Sequence, residues 1–128
     1  MQKKTFLITG GSGGIGSALA HKLIKTSYTP LIVYKSNREK AEDLAKAVDG
    51  EAIELNLIDL NAVDRVVDNL ASSHAVLAGV VLGASAPLKI TSFGHISEQD
   101  MENQWRVNVL GHQRLLAGLV RKVFSKRK

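Results

Sequence analysis

The chain has 128 residues, of which 45% are hydrophobic and 23% are charged, with 11 glycines, 2 prolines and no cysteine. This composition is typical of one globular domain and excludes a disordered, collagen-like or disulfide-linked chain. The lack of cysteine also excludes thiol catalysis and Cys-ligated zinc. No apolar run reaches the roughly 18 residues of a membrane span, and the apolar stretch near the start is too short for a signal peptide. We therefore expect a cytoplasmic protein with no membrane partner.

The net charge of +5 belongs to the C-terminal tail rather than to a face of the domain. Five cations lie there without an acidic residue among the last eight positions: Arg121, Lys122, Lys126, Arg127 and Lys128. The first 120 residues are balanced, with 12 cations and 12 acidic residues. Cations at a helix C-terminus favour the helix dipole and solubility. Without a basic face or an aromatic platform, we expect no nucleic-acid partner.

Short apolar runs alternate with amphipathic stretches, which predicts repeated strand–helix units and a parallel sheet. The predicted strands are Thr5–Ile8, Leu31–Tyr34, Ala52–Leu55 and Val76–Leu82. Four predicted helices carry apolar residues at helical spacing. These residues are Ile15, Leu19, Leu23 and Ile24 in the first helix, Ala41, Leu44, Ala45 and Val48 in the second, Leu60, Val63, Val66, Val67 and Leu70 in the third, and Met101, Trp105, Leu115, Leu116, Leu119, Val123 and Phe124 in the fourth.

Two serines mark predicted helix starts. Ser36 lies three residues before Glu39, which predicts a capping box at the second helix. That helix should end near Gly50, because glycine favours helix C-termini. Ser97 is predicted to open the fourth and longest helix, after an irregular segment at 83–96.

A glycine-rich turn joins the first predicted strand to the first helix. Residues 9–16 read Thr-Gly-Gly-Ser-Gly-Gly-Ile-Gly. Glycines at such a turn allow a tight bend, a close approach of the backbone to a pyrophosphate and close helix–strand packing. The free N–H groups of the helix N-terminus would then face the phosphates. A purely structural turn can also be rich in glycine, but the strand before it, the helix after it and the second strand–helix unit beyond favour dinucleotide binding.

Three segments together resemble the short-chain dehydrogenase/reductase family. The pattern Thr9-Gly10-x-x-x-Gly14-x-Gly16 is similar to the cofactor signature of that family. Residues 56–57 follow the third strand, where the family places an acidic and an aliphatic residue near the adenine. Residues 105–111, Trp-Arg-Val-Asn-Val-Leu-Gly, resemble its fourth-helix motif. The resemblance implies a Rossmann-like three-layer sandwich with strand order 3-2-1-4, forming a single NAD(P)-binding domain over residues 1–128.

The glycines also fit the pattern Thr-Gly-x-x-Gly-x-x-Gly of the family's larger sugar-nucleotide branch, through Gly13 and Gly16. Residues 97–111 are more similar to the compact single-domain branch, which includes the 3-oxoacyl-[acyl-carrier-protein] reductases, and we favour that branch. One segment departs from the family. Residues 82–85 read Leu-Gly-Ala-Ser where the family usually has Asn-Asn-Ala-Gly. Small residues remain where the backbone would pass a cofactor, but the asparagines that would brace the strand are missing.

The resemblance implies a set of cofactor-binding residues. They are Gly10, Ser12, Gly13, Gly14, Ile15 and Gly16 at the pyrophosphate, Lys35, Ser36, Asn37 and Arg38 at the adenosine ribose, Asn56 and Leu57 at the adenine, and Gly83, Ala84 and Ser85 on the way to the nicotinamide ribose. An acidic residue at the end of the second strand would select NAD, and none lies between Leu31 and Arg38. The two cations there suit a 2′-phosphate, so the predicted cofactor is NADP, with NAD the weaker alternative. The four histidines are scattered, and we expect no metal site.

The catalytic residues implied by the resemblance are mostly absent from this sequence. The family transfers a hydride while a Tyr acts as acid/base beside a Lys four residues later, with a Ser polarising the substrate oxygen. Tyr28 and Tyr34 are followed four residues later by Ile32 and Arg38. Only Asn108, which in the family holds a water of the proton relay, has a counterpart, and a purely structural role for it fits equally well. We therefore expect the cofactor-binding N-terminal half of an oxidoreductase, inactive alone.

Two other interpretations fit the same residues. The chain could be a non-catalytic Rossmann-fold scaffold or cofactor-sensing interaction protein, or one part of a split enzyme completed by a C-terminal half on a second chain. The predicted strand order leaves the apolar fourth strand at an edge, and the apolar stripe of the last helix resembles the family's subunit-pairing surface. We therefore expect a homo-oligomer formed by edge pairing or by exchange of the long helix.

Overall fold

A computed structural model describes residues 3–127. In this part of the chain, four parallel strands form one sheet in the order β3-β2-β1-β4. Their bounds are β1 Lys4–Thr9, β2 Thr29–Tyr34, β3 Glu51–Glu54 and β4 Val76–Leu82. The predicted α/β, Rossmann-like fold and its strand order 3-2-1-4 are confirmed.

Within residues 3–127, five α-helices accompany the sheet: α1 Gly14–Leu23, α2 Arg38–Ala47, α3 Leu60–Ser72, α4 Glu98–Trp105 and α5 His112–Lys122. A π-helical segment, Arg106–Gly111, joins α4 to α5 without a break, so the two helices form one long rod. Short 3-10 turns follow α1 at Ile24–Thr26, precede α4 at Phe93–His95 and follow α5 at Phe124–Arg127. Within residues 3–127, no helix combines the length and apolar character needed to cross a membrane.

Successive side chains of the central strands enter two separate cores, because a strand points alternate residues to opposite faces. Leu7 of β1 belongs to the core beneath α3 and α5, where Leu115 and Leu119 are fully buried. Ile8 belongs to the core beneath α1 and α2, beside Ala41. The sheet is therefore the middle layer of three.

The structure corrects one predicted helix start and confirms another. Asn37, not Ser36, is the N-cap of α2, and its side-chain oxygen accepts a hydrogen bond from the Lys40 N–H at 3.2 Å. The predicted capping box from Ser36 to Glu39 is wrong because the helix begins one residue later, where asparagine is an equally good cap. The predicted start at Ser97 is confirmed, with a full capping box between Ser97 and Asp100.

Some apolar positions of the predicted helices face solvent. Ile15 is 88% exposed, and Ile24 lies beyond the end of α1. On the long rod, Met101 and Trp105 are 64% and 57% exposed, whereas Leu115 is fully buried. The sequence pattern predicts one regular helix here. The wider turn of the π segment changes the residue spacing, so a single apolar stripe does not run through both halves.

Exposed apolar residues lie along the segment after β4 and the long rod, and five of them, Leu88, Ile96, Met101, Trp105 and Val109, line one groove. The full set is Leu88, Ile90, Phe93, Ile96, Met101, Trp105, Val109, Leu116 and Val120. β4 lies at the edge of the sheet, as its predicted place in the strand order requires. An apolar surface of this kind is typical of an interaction site. Self-association and the single-domain boundary at 1–128 stay predictions.

Ion pairs connect α3 to α5 at the surface. The Asp64 carboxylate accepts two hydrogen bonds from the Arg114 guanidinium, at 2.8 and 2.7 Å. Asp68 accepts one from Lys122 at 2.7 Å. The hydrogen bonds from Arg114 lower the pKa of Asp64. Because exposed pairs are weakened by water, they orient the two helices more than they stabilise them.

The long rod packs closely against the rest of the fold at two glycines. A Cβ at Gly111 would overlap the backbone carbonyl of Leu57 and would lie 2.8 Å from the Leu57 Cβ. A Cβ at Gly118 would lie 3.0 Å from the Cγ2 of Val67. The rod can therefore approach α3 and the β3–α3 loop only because these two positions carry no side chain.

We expect Gly111→Ala to destabilise the protein, because the added methyl group must push the rod away from Leu57. Overpacking of this kind costs about 1–3 kcal/mol, and the higher helix propensity of alanine returns at most about 1 kcal/mol. Urea unfolding followed by circular dichroism measures the difference. Gly94→Ala is the matched control, because its Cβ meets no atom of the described residues within 4 Å. Equal stability of the two variants would contradict the close-approach argument.

Candidate functional site

A cleft of about 380 Å³ lies at the carboxyl ends of the strands. Open parallel sheets bind ligands at this edge, where the loops after neighbouring strands meet. The cleft brings together ten of the sequence-predicted residues: Gly10, Ser12, Gly13, Lys35, Ser36, Asn56, Leu57, Gly83, Ala84 and Ser85. They come from the loops after all four strands, so the fold brings together residues that are far apart in the sequence.

A second hollow of about 240 Å³ lies beside the cleft, on the other side of the glycine turn. Gly14, Ile15 and Gly16 line it, and Gly10 and Gly13 line both spaces. The six residues predicted at the pyrophosphate therefore belong to one continuous turn, which lies between the cleft and the hollow.

The glycine turn depends on the absence of side chains at particular places. Gly10 has a φ of +65°, in the left-handed region that favours glycine. A Cβ there would also lie 2.8 Å from the Gly83 carbonyl oxygen, and one at Gly16 would lie 2.6 Å from the Gly11 Cα. A Cβ at Gly14, in contrast, would meet no atom of the described residues within 4 Å. Gly10 and Gly16 thus shape the turn, and Gly14 opens towards the ligand space.

The N-terminus of α1 is open at this turn. Its N-cap residue is Gly13, which has no side chain to accept the first helical N–H groups, and its first turn contains no acidic residue. The positive end of the helix dipole is therefore available to an anion. Ile15, exposed in the same turn, adds an apolar surface at the mouth of the hollow.

The four residues predicted at the adenosine ribose are divided by the structure. Lys35 and Ser36 line the cleft. Asn37 lies beyond its lining and caps α2. Arg38 also lies beyond it and pairs with Glu42, whose Oε1 is 3.1 Å from the arginine Nε. Tyr34 and then the Glu42 carboxylate raise the pKa of Arg38 above its ordinary value, so Arg38 keeps its charge.

Asn56 and Leu57 lie on the cleft wall after β3. The side-chain oxygen of Asn56 accepts a hydrogen bond from the Ile58 N–H at 3.1 Å, which fixes the loop in a tight turn. Leu57 is buried and contacts the rod through Gly111. This wall is therefore rigidly attached to the core.

Asn108, the predicted catalytic residue, lies in the π segment and bridges it to the loop after β4. Its Oδ1 accepts a hydrogen bond from the Ala86 N–H at 2.9 Å, and its Nδ2 donates to Gln104 at 2.8 Å. Gln104 in turn donates to the Pro87 carbonyl at 3.0 Å. Asn108 lines a neighbouring groove of about 620 Å³ rather than the cleft itself. Bracing of the loop accounts for its side-chain contacts, and its catalytic role stays a prediction.

A buried pair joins the site to the rod and was not foreseen from the sequence. The Thr9 Oγ1 lies 2.8 Å from the His112 Nε2, and the Ala84 N–H donates to the same Oγ1 at 3.1 Å. Burial lowers the pKa of His112, and a hydrogen bond with the backbone of Asn108 opposes part of that shift. The sequence places His112 four residues after Asn108 on the predicted fourth helix, but it gives no sign of the contact with Thr9.

Metal ligation has no support in the described part of the chain. Between residues 3 and 127, no three histidine, aspartate or glutamate side chains meet in a group that could hold a metal ion. The groups that the site offers to a ligand are therefore its glycines, its backbone N–H donors and a few polar side chains.

Comparison with known proteins identifies the family. The short chain dehydrogenase family matches residues 4–128. The chain therefore belongs to the short-chain dehydrogenase/reductase family, a family of oxidoreductases with this fold, as the sequence resemblance predicted.

Individual relatives agree with that assignment. The 3-oxoacyl-[acyl-carrier-protein] reductase FabG of Aggregatibacter actinomycetemcomitans is 28% identical, over 98% of this chain and 53% of its own length. An NADP-dependent 3-hydroxy acid dehydrogenase of Schizosaccharomyces pombe is 25% identical, over 98% of this chain and 51% of its own. A short chain dehydrogenase from Burkholderia cenocepacia, solved in complex with NADP, is 27% identical with a TM-score of 0.86, covering 95% of this chain and 51% of that one. The chain spans about half the length of these relatives.

We expect stability to fall as the pH drops below about 6.5, the ordinary histidine pKa. The folded protein holds the pKa of His112 below that value, so the unfolded chain takes up the proton first. The stability is present above the unfolded pKa and is lost as the pH falls through the folded one. Thermal unfolding between pH 7.5 and 5 measures this loss, which His112→Gln should reduce. His74→Gln, at an exposed position after α3, should decline like the wild type, and equal declines in all three proteins would show that other groups are responsible.

Proposed function

We propose that the chain is the NADP(H)-binding portion of a short-chain carbonyl reductase or alcohol dehydrogenase. One observation carries this proposal. The cleft at the strand ends extends from the open N-terminus of α1 to the exposed Lys35, which lies 25 residues after Gly10, the first glycine of the turn. NADP(H) carries two anionic groups, the pyrophosphate and the 2′-phosphate of the adenosine ribose, which would lie at these two places. Family membership supports the same conclusion.

The glycine turn would hold the pyrophosphate. A phosphate over Gly13 and Gly14 would meet the first N–H groups of α1 without a clash, since both glycines are exposed. Gly83, Ala84 and Ser85 would line the path towards the nicotinamide end of the cleft. When bound, the nicotinamide supplies or accepts a hydride. This chain's residues would bind the dinucleotide and orient it.

NADP rather than NAD is proposed because the end of β2 offers a cation and a hydroxyl to the ribose. Lys35 and Ser36 line the cleft there, and both are exposed enough to reach a ligand. A carboxylate, which would favour the 2′-hydroxyl of NAD, is absent from residues 31–38 of the sequence. The NADP in the Burkholderia cenocepacia structure and in the name of the Schizosaccharomyces pombe relative supports this choice.

Catalysis would need groups that this sequence lacks. No Tyr-x-x-x-Lys occurs among the 128 residues, and the chain covers about half of its relatives. We propose that Ser, Tyr and Lys come from a completing C-terminal half, and that the exposed apolar surface of the rod is covered by that half or by a second copy. A non-catalytic scaffold or a cofactor-sensing interaction protein is the alternative, and NADPH titration of the wild type tests the scaffold, which need not bind the cofactor.

Gly14→Asp should abolish NADP(H) binding while leaving the protein folded. The position has room for a side chain, and an acidic residue in the first turn of a helix favours its stability. The new carboxylate would nevertheless repel the pyrophosphate. We expect NADPH affinity to fall by at least about 100-fold, the scale of breaking a charged hydrogen bond in a desolvated site, measured by isothermal titration calorimetry.

Gly14→Asn is the matched control for this charge effect. Asparagine has the size and shape of aspartate without its charge, so its loss of affinity should be clearly smaller. If Gly14→Asp binds NADPH like the wild type, the pyrophosphate is not at this turn. If the wild type itself does not bind NADPH, the scaffold interpretation gains support.

Lys35→Gln should weaken binding of NADPH but not of NADH, because only NADPH carries the 2′-phosphate. An exposed ion pair is worth up to about 1 kcal/mol, which is about fivefold in affinity. Lys40→Gln is the matched control, since Lys40 is an exposed cation of α2 beyond the cleft lining. Parallel losses for both cofactors, or equal effects of the two substitutions, would contradict a 2′-phosphate contact at Lys35.

A further inference from the structure

The buried pair Thr9–His112 connects the long rod to the wall of the candidate cleft. Thr9 is the last residue of β1, at the centre of the sheet, and is fully buried. His112 begins α5 and is 6% exposed. The residue that completes the arrangement is Ala84, whose N–H donates to the Thr9 hydroxyl and which itself lines the cleft.

We propose that His112 is a positioning residue of the candidate cofactor site, acting through the Thr9 hydroxyl on the backbone of Ala84 and Ser85. This inference rests on the proposed function. It assigns a role in cofactor binding to His112, which does not itself line the cleft.

The direction of the hydrogen bonds supports this assignment. The Thr9 oxygen already accepts from the Ala84 N–H, and its own proton needs an acceptor because the group is buried. The His112 Nε2 at 2.8 Å can be that acceptor only when it carries no proton. The neutral ring therefore keeps its proton on Nδ1.

The backbone of this wall touches the glycine turn directly. A Cβ at Gly10 would lie 2.8 Å from the Gly83 oxygen and 2.9 Å from the Ala84 nitrogen. A small displacement of Ala84 therefore moves the wall against the turn or away from it. His112 controls the width of the cleft at the place where its two sides meet.

Charged neighbours are not the cause of the lowered pKa of His112. The charged side chains on the elements packed here pair with one another: Asp64 and Asp68 of α3 with Arg114 and Lys122 of α5, and Arg106 with Glu102 on the rod. The pKa of His112 responds instead to burial and to the Asn108 backbone. Its hydrogen bond to Thr9 is thus set by local geometry rather than by an ion pair.

The first test needs no substitution. Nitrogen-15 NMR of the histidine ring in the 128-residue wild-type chain at pH 7.5 should show His112 neutral with the proton on Nδ1. A ring protonated on Nε2 overturns the proposal, because it could not accept the Thr9 proton.

The second test compares His112→Leu and His112→Gln. Leucine removes the acceptor, so amide hydrogen exchange at Ala84 should accelerate and NADP⁺ affinity should fall about tenfold, the order expected when one buried hydrogen bond is removed. Glutamine offers an acceptor oxygen and should rescue most of both losses. Val67→Ala, a cavity variant in the α3–α5 core, is the control for general destabilisation and should leave the affinity unchanged.

A double-mutant cycle with Thr9→Val tests the route of action. If His112 acts through Thr9, then His112→Leu should change NADP⁺ affinity less than about twofold in the Thr9→Val background. Additive losses overturn the proposal, as does unchanged Ala84 exchange in His112→Leu. Absence of NADP⁺ binding in the wild type overturns the proposed function alone, because the ring proton and Ala84 exchange are measured without cofactor.

Discussion

The candidate site depends on a backbone contact between the glycine turn and the chain that leaves β4. Gly10 can adopt its left-handed conformation and lie against Gly83 and Ala84 only because it lacks a Cβ. The parallel pairing of β1 with β4 brings these two loops to the same edge of the sheet. The cleft, the open N-terminus of α1 and the hydrogen bonds from the rod are all arranged around this contact.

The sequence predicted the fold and the position of the cleft because both follow from local patterns. Apolar runs of strand length separated by amphipathic stretches have few arrangements besides a parallel sheet with crossover helices. Glycines between a strand and a helix mark the turn at its edge. The residues that line the cleft from other loops, such as Lys35 and Asn56, were implied by the resemblance to the family rather than by a local pattern.

The bracing of that cleft could not be predicted, because it depends on contacts across the chain. Thr9 and His112 are 103 residues apart, and Asn108 reaches Ala86 only once the rod lies against the sheet. The π segment also hides the pattern, since its spacing differs from that of the α-helices on either side. The asparagines that the family usually carries after the fourth strand are missing from this sequence. In the structure, Thr9 and Asn108 hold the same loop from neighbouring elements.

The glycine at the start of α1 has a thermodynamic consequence. Compared with glycine, a serine or aspartate cap would add only about a few tenths of a kcal/mol to such a helix, and Gly13 has no side-chain acceptor for its first N–H groups. An anion held by the same N–H groups would serve as that missing cap. A ligand that binds there to the folded state must raise the melting temperature of the protein by mass action. The first turn of α1 should become better ordered when the ligand is bound, so its order indicates whether the site is occupied.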